Sequence, residues 1–259
     1  MLKIENTEVM GWEAAIRGMR NPKNSWEKSD SFCKPSTENC CGCHDYDKCA
    51  YIFETTGKPY RGDIGPNDLD LMIRLRNAGT DHRKFMRMIT VYLDITAPLY
   101  WWKEFDTYKV GTVANSCSTM HKIADKEFTL EDFSHDHLMN LTDYEEAPCL
   151  EDNFPAFEEK DGDLLFWTPT DILVQTISGL NFYRQRFLET KDKRYWWQMI
   201  QLLPSSYNQR RTIMLNYEVL ANIYKSRRNH KLDEWHTFCD WIEGLPYSEL
   251  ITGKEKSNG

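Results

Sequence analysis

The stretch Ile89-Thr-Val-Tyr-Leu-Asp-Ile-Thr96, ITVYLDIT, within residues 88–96, alternates apolar and polar side chains with a period of two. Its aliphatic positions are Ile89, Val91, Leu93 and Ile95. Successive side chains of a strand point to opposite faces of a sheet, and β-branched residues favour strands. The stretch therefore predicts a strand with one buried face.

The segment that follows this strand is rich in hydroxyl and amide side chains. A helix over residues 97–107, APLYWWKEFDT, is expected first, with Thr96 as its cap and Pro98 in its first turn. The loop at 106–120, DTYKVGTVANSCSTM, then carries one lysine, Lys109. Its hydroxyls, amide and ammonium suit a phosphate-bearing ligand, and an ordinary polar loop is the alternative.

A second strand and helix lie near the end of the chain. Residues 212–216, TIMLN, predict a short apolar strand, and Asn216 is suited to cap the helix YEVLANIYKSRR at 217–228. Asn216 and Arg227 are eleven residues apart, so they face the same way, whereas Asn222 is rotated off that line. Because helix N-termini favour anions, this face is a candidate ligand site. An N-cap followed by a solvated arginine is the alternative.

Three further segments have apolar residues at helical spacing. One begins near Pro66, with Asn67 as its cap, and ends at Gly79. The others are residues 169–200 and 232–245. A few strands combined with several long helices predict an α+β fold.

The length of 259 residues suffices for one large domain or two small ones, and the composition is that of an acidic globular protein. We interpret residues 1–259 as a single domain. A net charge of −8 disfavours direct nucleic-acid binding, because proteins that bind DNA nonspecifically are usually basic. No run of 18 apolar residues predicts a membrane span. The start of the chain, MLKIENTEVMGWEAA, lacks the apolar core of a signal peptide, so a cytoplasmic location is expected.

Two segments are predicted insertions. Residues 31–63 hold five cysteines and His44, and thiolates this dense in a cytosolic protein predict a structural zinc site, with free thiols as the alternative. The predicted zinc ligands are Cys33, Cys40, Cys43 and Cys49. Residues 125–163 are rich in Asp and Glu and predict a solvated acidic insertion or loop.

The polar loop and the strand before it resemble the flavin-dependent thymidylate synthase family. The family signature is R-H-R-x-x-S-x-N-E-x-S-x-R-Y, and the helix before it often opens with Ala-Pro, as at residues 97–98 here. Its Arg-His-Arg falls on residues 107–109 and its first Ser on Thr112. After one inserted residue, its Asn falls on Asn115 and its second Ser on Ser118.

The later strand and helix also resemble this family. There the family has a Leu-Pro element, an apolar strand ending in Asn, a helix and an Arg, an order that fits Asn216, Asn222 and Arg227. His82 stands where the family tends to have a His shortly before the first strand. The matched blocks cover under half of the chain.

The resemblance implies an antiparallel sheet packed with several long helices, in a homotetramer. It implies that FAD and dUMP share each site, with methylene-tetrahydrofolate as the methyl donor and NADPH as the reductant. No catalytic residue is assigned. The nucleotide- and cofactor-binding residues that it implies are His82, Tyr108, Lys109, Thr112, Asn115, Ser118, Asn216, Asn222 and Arg227.

The signature is degraded in this chain. Thr107 and Tyr108 replace an Arg and a His, Ser116 replaces the Glu, and Met120 replaces the final Arg. Each lost charged contact costs about 1.5–3 kcal/mol of ligand-binding free energy. Because several are lost, the resemblance supports the fold more strongly than it supports the methylation reaction.

Degenerate chains of this kind resemble those of bacteriophage genomes, and two alternatives to the enzyme follow. The first is an inactive nucleotide-binding or sequestering protein on the same scaffold, for instance an inhibitor of a host factor. The second is a zinc-containing structural or interaction protein.

Overall fold

The computed structural model describes residues 2–31, 64–140, 143, 157–160 and 163–254. Within this part of the chain the fold is α+β, with a four-stranded antiparallel sheet in the order β1-β2-β6-β3 and a separate two-stranded sheet, β4-β5. The strands are β1 (Lys3–Met10), β2 (Thr90–Pro98), β3 (Val113–Ser116), β4 (Phe157–Lys160), β5 (Asp163–Phe166) and β6 (Asn208–Asn216). The predicted fold class is therefore confirmed.

Helices make up most of the remaining described structure. The α-helices are α1 (Trp12–Arg20), α2 (Pro66–Asn77), α3 (Leu99–Phe105), α4 (Thr119–Lys122), α5 (Pro169–Thr190), α6 (Lys193–Leu202), α7 (Tyr217–Arg227), α8 (Asp233–Glu243) and α9 (Glu249–Thr252). Short 3-10 helices occupy Asn21–Lys23, Trp26–Lys28, Arg83–Met88 and Leu130–Asp132. None of the described helices is long and apolar enough to cross a membrane.

The chain divides into two compact units, each of which is discontinuous in sequence. Unit 1 comprises Met1–Lys3, Ile95–Thr107 and Asn115–Arg211, and unit 2 comprises Ile4–Asp94, Tyr108–Ala114 and Thr212–Gly259. The part of the polar loop at residues 108–114 thus belongs to the same unit as helix α7.

The core of unit 2 depends on the alternation that predicted strand β2. Val91 and Leu93 are fully buried, whereas Tyr92 between them is 39% exposed. Ile213 and Leu215 of β6 are buried in the same alternating way. The predicted strand and its buried face are therefore confirmed.

The junction between β2 and α3, within unit 1, differs from the prediction. Strand β2 continues through Pro98, so Thr96 does not cap the helix. The backbone amides of Leu99 and Tyr100 instead donate to the carbonyls of Tyr207 and Ser205, each at 3.0 Å. A distant chain segment thus supplies the acceptors that a capping side chain would otherwise provide.

The start of helix α2 also differs from the prediction. Gly65 occupies the N-cap position, and the amides of Asn67 and Asp68 donate to the carboxylate of Asp30 at 2.9 and 3.1 Å. Asn67 is therefore not the cap, because an acidic side chain 37 residues earlier satisfies these amides.

Unit 1 holds a second hydrophobic core around two helices. The predicted helical segment 169–200 forms α5 and α6, which are separated at Lys191, a residue with φ of 58°. Leu180 of α5 and Met199 of α6 are fully buried in this core. Phe128 and Phe133, which lie in the acidic segment, are buried with them.

Candidate functional site

The polar loop and helix α7 meet through Tyr108 and Arg227. The Arg227 Nε donates a hydrogen bond to the Tyr108 hydroxyl at 2.9 Å. The guanidinium carbon of Arg227 lies 4.8 Å from the ring centre of Trp235, which is fully buried, and 5.6 Å from that of Tyr108. These contacts hold a cation at the end of α7, since guanidinium groups are attracted to aromatic faces.

A second contact between loop and helix forms at Gly111. Its φ is 80°, and a Cβ added there would lie 3.0 Å from the Asn216 Nδ2 and 3.1 Å from the Val219 Cγ2. Only a residue without a side chain allows this close approach without a shift of the neighbours. The Asn216 Oδ1 accepts from the Val219 amide at 3.1 Å, so the predicted N-cap of α7 is confirmed.

Thr112 and Lys109 lie in the same part of the loop. The Thr112 hydroxyl oxygen is buried and has no hydrogen-bond partner in the described part of the chain. Lys109 is exposed, and its carbonyl accepts from the Thr112 amide at 3.3 Å. Between residues 109 and 112 the loop therefore presents one exposed cation and one unsatisfied hydroxyl oxygen.

The other two predicted loop residues belong to unit 1. Asn115 is exposed on β3. Ser118 caps the short helix α4, where its hydroxyl accepts from the His121 amide at 3.1 Å. The cap gives Ser118 a local structural role that the sequence had not indicated.

His82 and Asn222 make no described contact with Tyr108 or Arg227. His82 is exposed at the start of the 3-10 helix Arg83–Met88, and Asn222 is exposed on α7. The Asn222 Oδ1 accepts from the Arg83 Nη2 at 3.1 Å, so Asn222 pairs with an arginine that sequence reasoning did not single out.

Sequence reasoning also missed Glu218, which lies in the first turn of α7. Its carboxylate is buried and pairs with Arg87 and with the Arg83 Nε, the latter at 3.4 Å. Burial alone would raise the pKa of Glu218, but the hydrogen bonds and charges of Arg87 and Arg83 together lower it. An acidic residue just after a helix cap and two arginines four residues apart were the signals available in the sequence.

The predicted zinc ligands cannot be placed in the structure. Cys33, Cys40, Cys43 and Cys49 lie outside the described residues. Within the described ranges, no group of three or more His, Cys, Asp or Glu side chains is arranged to hold a metal ion.

The fold of the chain was compared with those of known proteins. No protein-family model matches the chain, and no curated protein sequence matches it significantly. Solved structures do match it, over nearly the whole length of both chains. The likeness is therefore one of fold.

Three solved structures illustrate the match. Two are of flavin-dependent thymidylate synthase ThyX from Helicobacter pylori with FAD and dUMP, each at 15% identity. One has a TM-score of 0.58 and covers 98% of both chains, and the other has a TM-score of 0.59 and covers 97% of this chain and 98% of that one. The third is a UMP/dUMP methylase, PolB, from Streptomyces cacaoi bound with 5-Br dUMP, at 13% identity and a TM-score of 0.53, covering 98% and 94%.

Proposed function

We propose that this chain binds a uridine nucleotide, with dUMP as the best candidate, on a flavin-dependent thymidylate synthase scaffold. The observation that carries the proposal is the meeting of the polar loop with helix α7 through Tyr108 and Arg227, at 2.9 Å. Support comes from the fold, since solved structures of similar fold were determined with dUMP or with a brominated analogue.

In this proposal the phosphate is held by Lys109 and Arg227. An exposed ammonium and a guanidinium fixed on aromatic rings form charge-assisted hydrogen bonds to phosphate oxygens. Thr112, Asn115, Ser118 and Asn216 supply hydroxyl and amide groups to the nucleotide or flavin. His82 and Asn222 complete the proposed set.

The same residues fit FAD as a second ligand. The unsatisfied hydroxyl of Thr112 offers a polar partner for a ligand group. When bound, FAD supplies hydride chemistry, and the protein binds and orients. We propose FAD-dependent methylation of dUMP, with methylene-tetrahydrofolate and NADPH, as the reaction of an active form.

A second candidate is a nucleotide-binding protein without catalytic activity, for instance a phage protein that sequesters a nucleotide. It is favoured by the side chains at two signature positions, Thr107 and Met120, which are exposed and carry no charge. A guanidinium at either position would have added a directional contact to phosphate.

The experiment is titration of purified protein with FAD and dUMP, followed by flavin absorbance and melting temperature. Both ligands are expected to raise the melting temperature, because each binds the folded state. Arg227→Gln should weaken dUMP binding roughly ten- to a hundredfold, since one charged hydrogen bond is lost. The matched control is Arg74→Gln, whose side chain is 67% exposed and pairs with Asp70 on the surface of α2.

Each outcome decides between the candidates. Binding of both ligands, with a flavin absorbance maximum at about 450 nm, supports the enzyme. Binding of dUMP to a protein that takes up no flavin supports the sequestering protein. If saturating FAD and dUMP leave the melting temperature unchanged, both candidates are wrong.

We also propose that the chain forms a homo-oligomer, a tetramer by its resemblance to the family. Helices α5 and α6 of unit 1 leave large apolar side chains exposed, which is typical of surfaces that associate. These exposed side chains are Ile172, Val174, Phe182, Leu188, Trp197 and Leu202.

A further inference from the structure

Two side chains of strand β6 hold both ends of the polar loop at 106–120, within unit 1. Asp106 opens the loop, and its carboxylate accepts a hydrogen bond from the Arg211 Nη1 at 2.7 Å. Near the other end, the Cys117 carbonyl accepts from the Gln209 Nε2 at 3.0 Å. The Arg211 Nε donates to the Gln209 Oε1 at 3.0 Å, so the contacts form a continuous chain. We call Asp106, Gln209 and Arg211 the β6 clamp.

The β6 clamp rests on a buried tryptophan. The guanidinium carbon of Arg211 lies 4.2 Å from the ring centre of Trp102, which is 1% exposed, and the Arg211 side chain is only 15% exposed. The Trp102 Nε1 also donates to the backbone carbonyl of Gln209 at 2.9 Å. A guanidinium held by an aromatic face, a carboxylate and an amide oxygen has little freedom to reorient, so the β6 clamp has a fixed geometry.

The loop end that the β6 clamp holds gains little from hydrophobic packing. Residues 115–118 are all exposed, and strand β3 lies at the edge of the four-stranded sheet, beside β6. Exposed side chains remove little apolar area from water, so hydrogen bonds must fix this segment. One runs from the Cys117 amide to the Arg210 carbonyl at 2.9 Å, and another is the contact of the Cys117 carbonyl with the β6 clamp.

We propose that Gln209 and Arg211 are positioning residues for ligand binding on the loop. They hold Asn115 and Ser118 in the arrangement that contacts the nucleotide or flavin. This inference rests on the proposed function, which assigns those two residues to the ligand. Gln209 suits the role because its amide both accepts and donates, and so transmits the fixed orientation of Arg211 to the Cys117 carbonyl.

The neutral substitution Gln209→Met tests the positioning role. Methionine keeps the size of the side chain, removes its donor and acceptor and changes no charge, so an effect on a phosphate ligand would not be electrostatic. In separate titrations with dUMP and FAD, binding of at least one ligand should weaken roughly three- to tenfold, which is the equivalent of one neutral hydrogen bond. Hydrogen exchange of the Cys117 amide should be faster in the ligand-free variant.

Thr168→Val is the matched control for a purely structural role. Thr168 is buried, caps α5 in the same unit and accepts from the Asp171 amide at 3.2 Å. Its replacement should lower the melting temperature, because a helix cap outside the loop is lost. If Gln209 were only structural, variants with similar melting temperatures would bind dUMP and FAD alike. The positioning role predicts weaker binding in Gln209→Met alone.

Combination with Arg211→Met separates positioning from direct contact with the ligand. If both residues act through the β6 clamp, the double variant should bind no more weakly than the weaker of the two single variants. Additive losses would show that Arg211 contacts the ligand itself, which would overturn its positioning role.

The titrations also separate this inference from the proposed function. If the unmodified protein binds dUMP or FAD and Gln209→Met binds them equally well, the positioning role is wrong and the proposed function stands. If the unmodified protein binds neither ligand, the proposed function is wrong and the positioning role falls with it.

Discussion

The Thr112 hydroxyl is a buried polar group without a partner in the described part of the chain. An unsatisfied buried hydroxyl costs about 1–3 kcal/mol, and a residue is rarely kept in that state without a partner. In the proposed function, a bound nucleotide or flavin supplies this partner.

Replacement of Thr112 by valine tests this hydroxyl. Thr112→Val keeps the shape and removes the polar group, so the ligand-free protein should keep its stability or gain up to about 1 kcal/mol. Ligand binding should weaken several-fold if the hydroxyl contacts dUMP or FAD. Urea denaturation and ligand titration measure the two effects, and a loss of stability above about 1 kcal/mol would show that the hydroxyl already has a partner.

Asp68 is a buried carboxylate that holds the N-terminal region of unit 2 together. It is fully buried and accepts hydrogen bonds from the Arg20 Nε at 2.6 Å, the Ser29 hydroxyl at 2.7 Å and the Ser31 amide at 3.0 Å. Burial alone would raise the pKa of Asp68, but the hydrogen bonds from Ser31, Ser29 and Arg20 together lower it below its ordinary value.

The lowered pKa of Asp68 predicts how stability depends on pH. The contribution of this network is complete above the unfolded-state pKa of about 4, and is lost as the pH falls from there through the folded-state pKa. Asp68→Asn should cost about 3–5 kcal/mol at pH 7, because it leaves the buried Arg20 without its partner.

Urea denaturation at pH 7 and at about pH 3 measures this effect. The difference in the free energy of unfolding between the unmodified protein and Asp68→Asn should be smaller at the lower pH. Asp70→Asn is the control on the same helix, because the Asp70 side chain is 64% exposed. Removal of its charge should lower the free energy of unfolding by no more than about 0.5 kcal/mol. A difference that is the same at both pH values would contradict the prediction.

The two described cysteines are predicted to differ in reactivity. Cys239 is fully buried, and burial raises its pKa to about 11, whereas Cys117 is exposed. Because the thiolate is the nucleophile, iodoacetamide at pH 8 should modify Cys117 and leave Cys239 intact. Peptide mass spectrometry resolves the two sites, and labelling of Cys239 in folded protein would be inconsistent with this core.

At the scale of elements, the approach of the loop to α7 depends on Gly111. Gly111→Ala should destabilise the protein by about 1–2 kcal/mol, because alanine is strained at this positive φ and its Cβ would crowd Asn216 and Val219. Gly179→Ala is a suitable control, since an added Cβ there meets no atom within 4 Å and alanine favours a helix. Thermal unfolding of both variants tests the prediction, and equal melting temperatures would contradict it.

The sequence predicted secondary-structure elements correctly where neighbouring residues alone determine them. Strand β2 follows from alternation over nine residues, and the cap of α7 follows from one asparagine at the end of a strand. The caps predicted at Thr96 and Asn67 were wrong because the true acceptors come from distant segments, at residues 205–207 and at Asp30. No sequence spacing encodes such contacts.

The candidate site was only partly predictable from the sequence. The sequence paired the loop with α7 only through a family resemblance, and the contact between Tyr108 and Arg227 supplies its geometry. A cavity of about 310 Å³ in unit 2 is lined by Arg76, Arg83, Lys225 and Arg228, among other residues. This cavity was not predictable, because these four residues are spread over 152 residues and converge only in the fold.

At the scale of the whole molecule, the exposed apolar side chains of α5 and α6 predict self-association. The molar mass measured by light scattering during size-exclusion chromatography should be a multiple of 30.7 kDa, with a tetramer expected. Phe182→Glu, at a side chain 58% exposed on α5, should reduce that mass if this surface is the interface. Gln185→Glu, an exposed control on the same helix, should not, and a monomer in the unmodified protein would contradict the prediction.

The way Arg76 holds the last helix matters for anyone who engineers this protein. Gly253 ends α9 with a φ of 71°, and an added Cβ there would lie 2.4 Å from the guanidinium of Arg76. An affinity tag or fused reporter should therefore be joined beyond Lys254. A chain that ends before Leu250 would lack two backbone carbonyls that accept hydrogen bonds from Arg76, 174 and 175 residues away in sequence. It would also lack Ile251 and Thr252, which line the cavity beside Arg76.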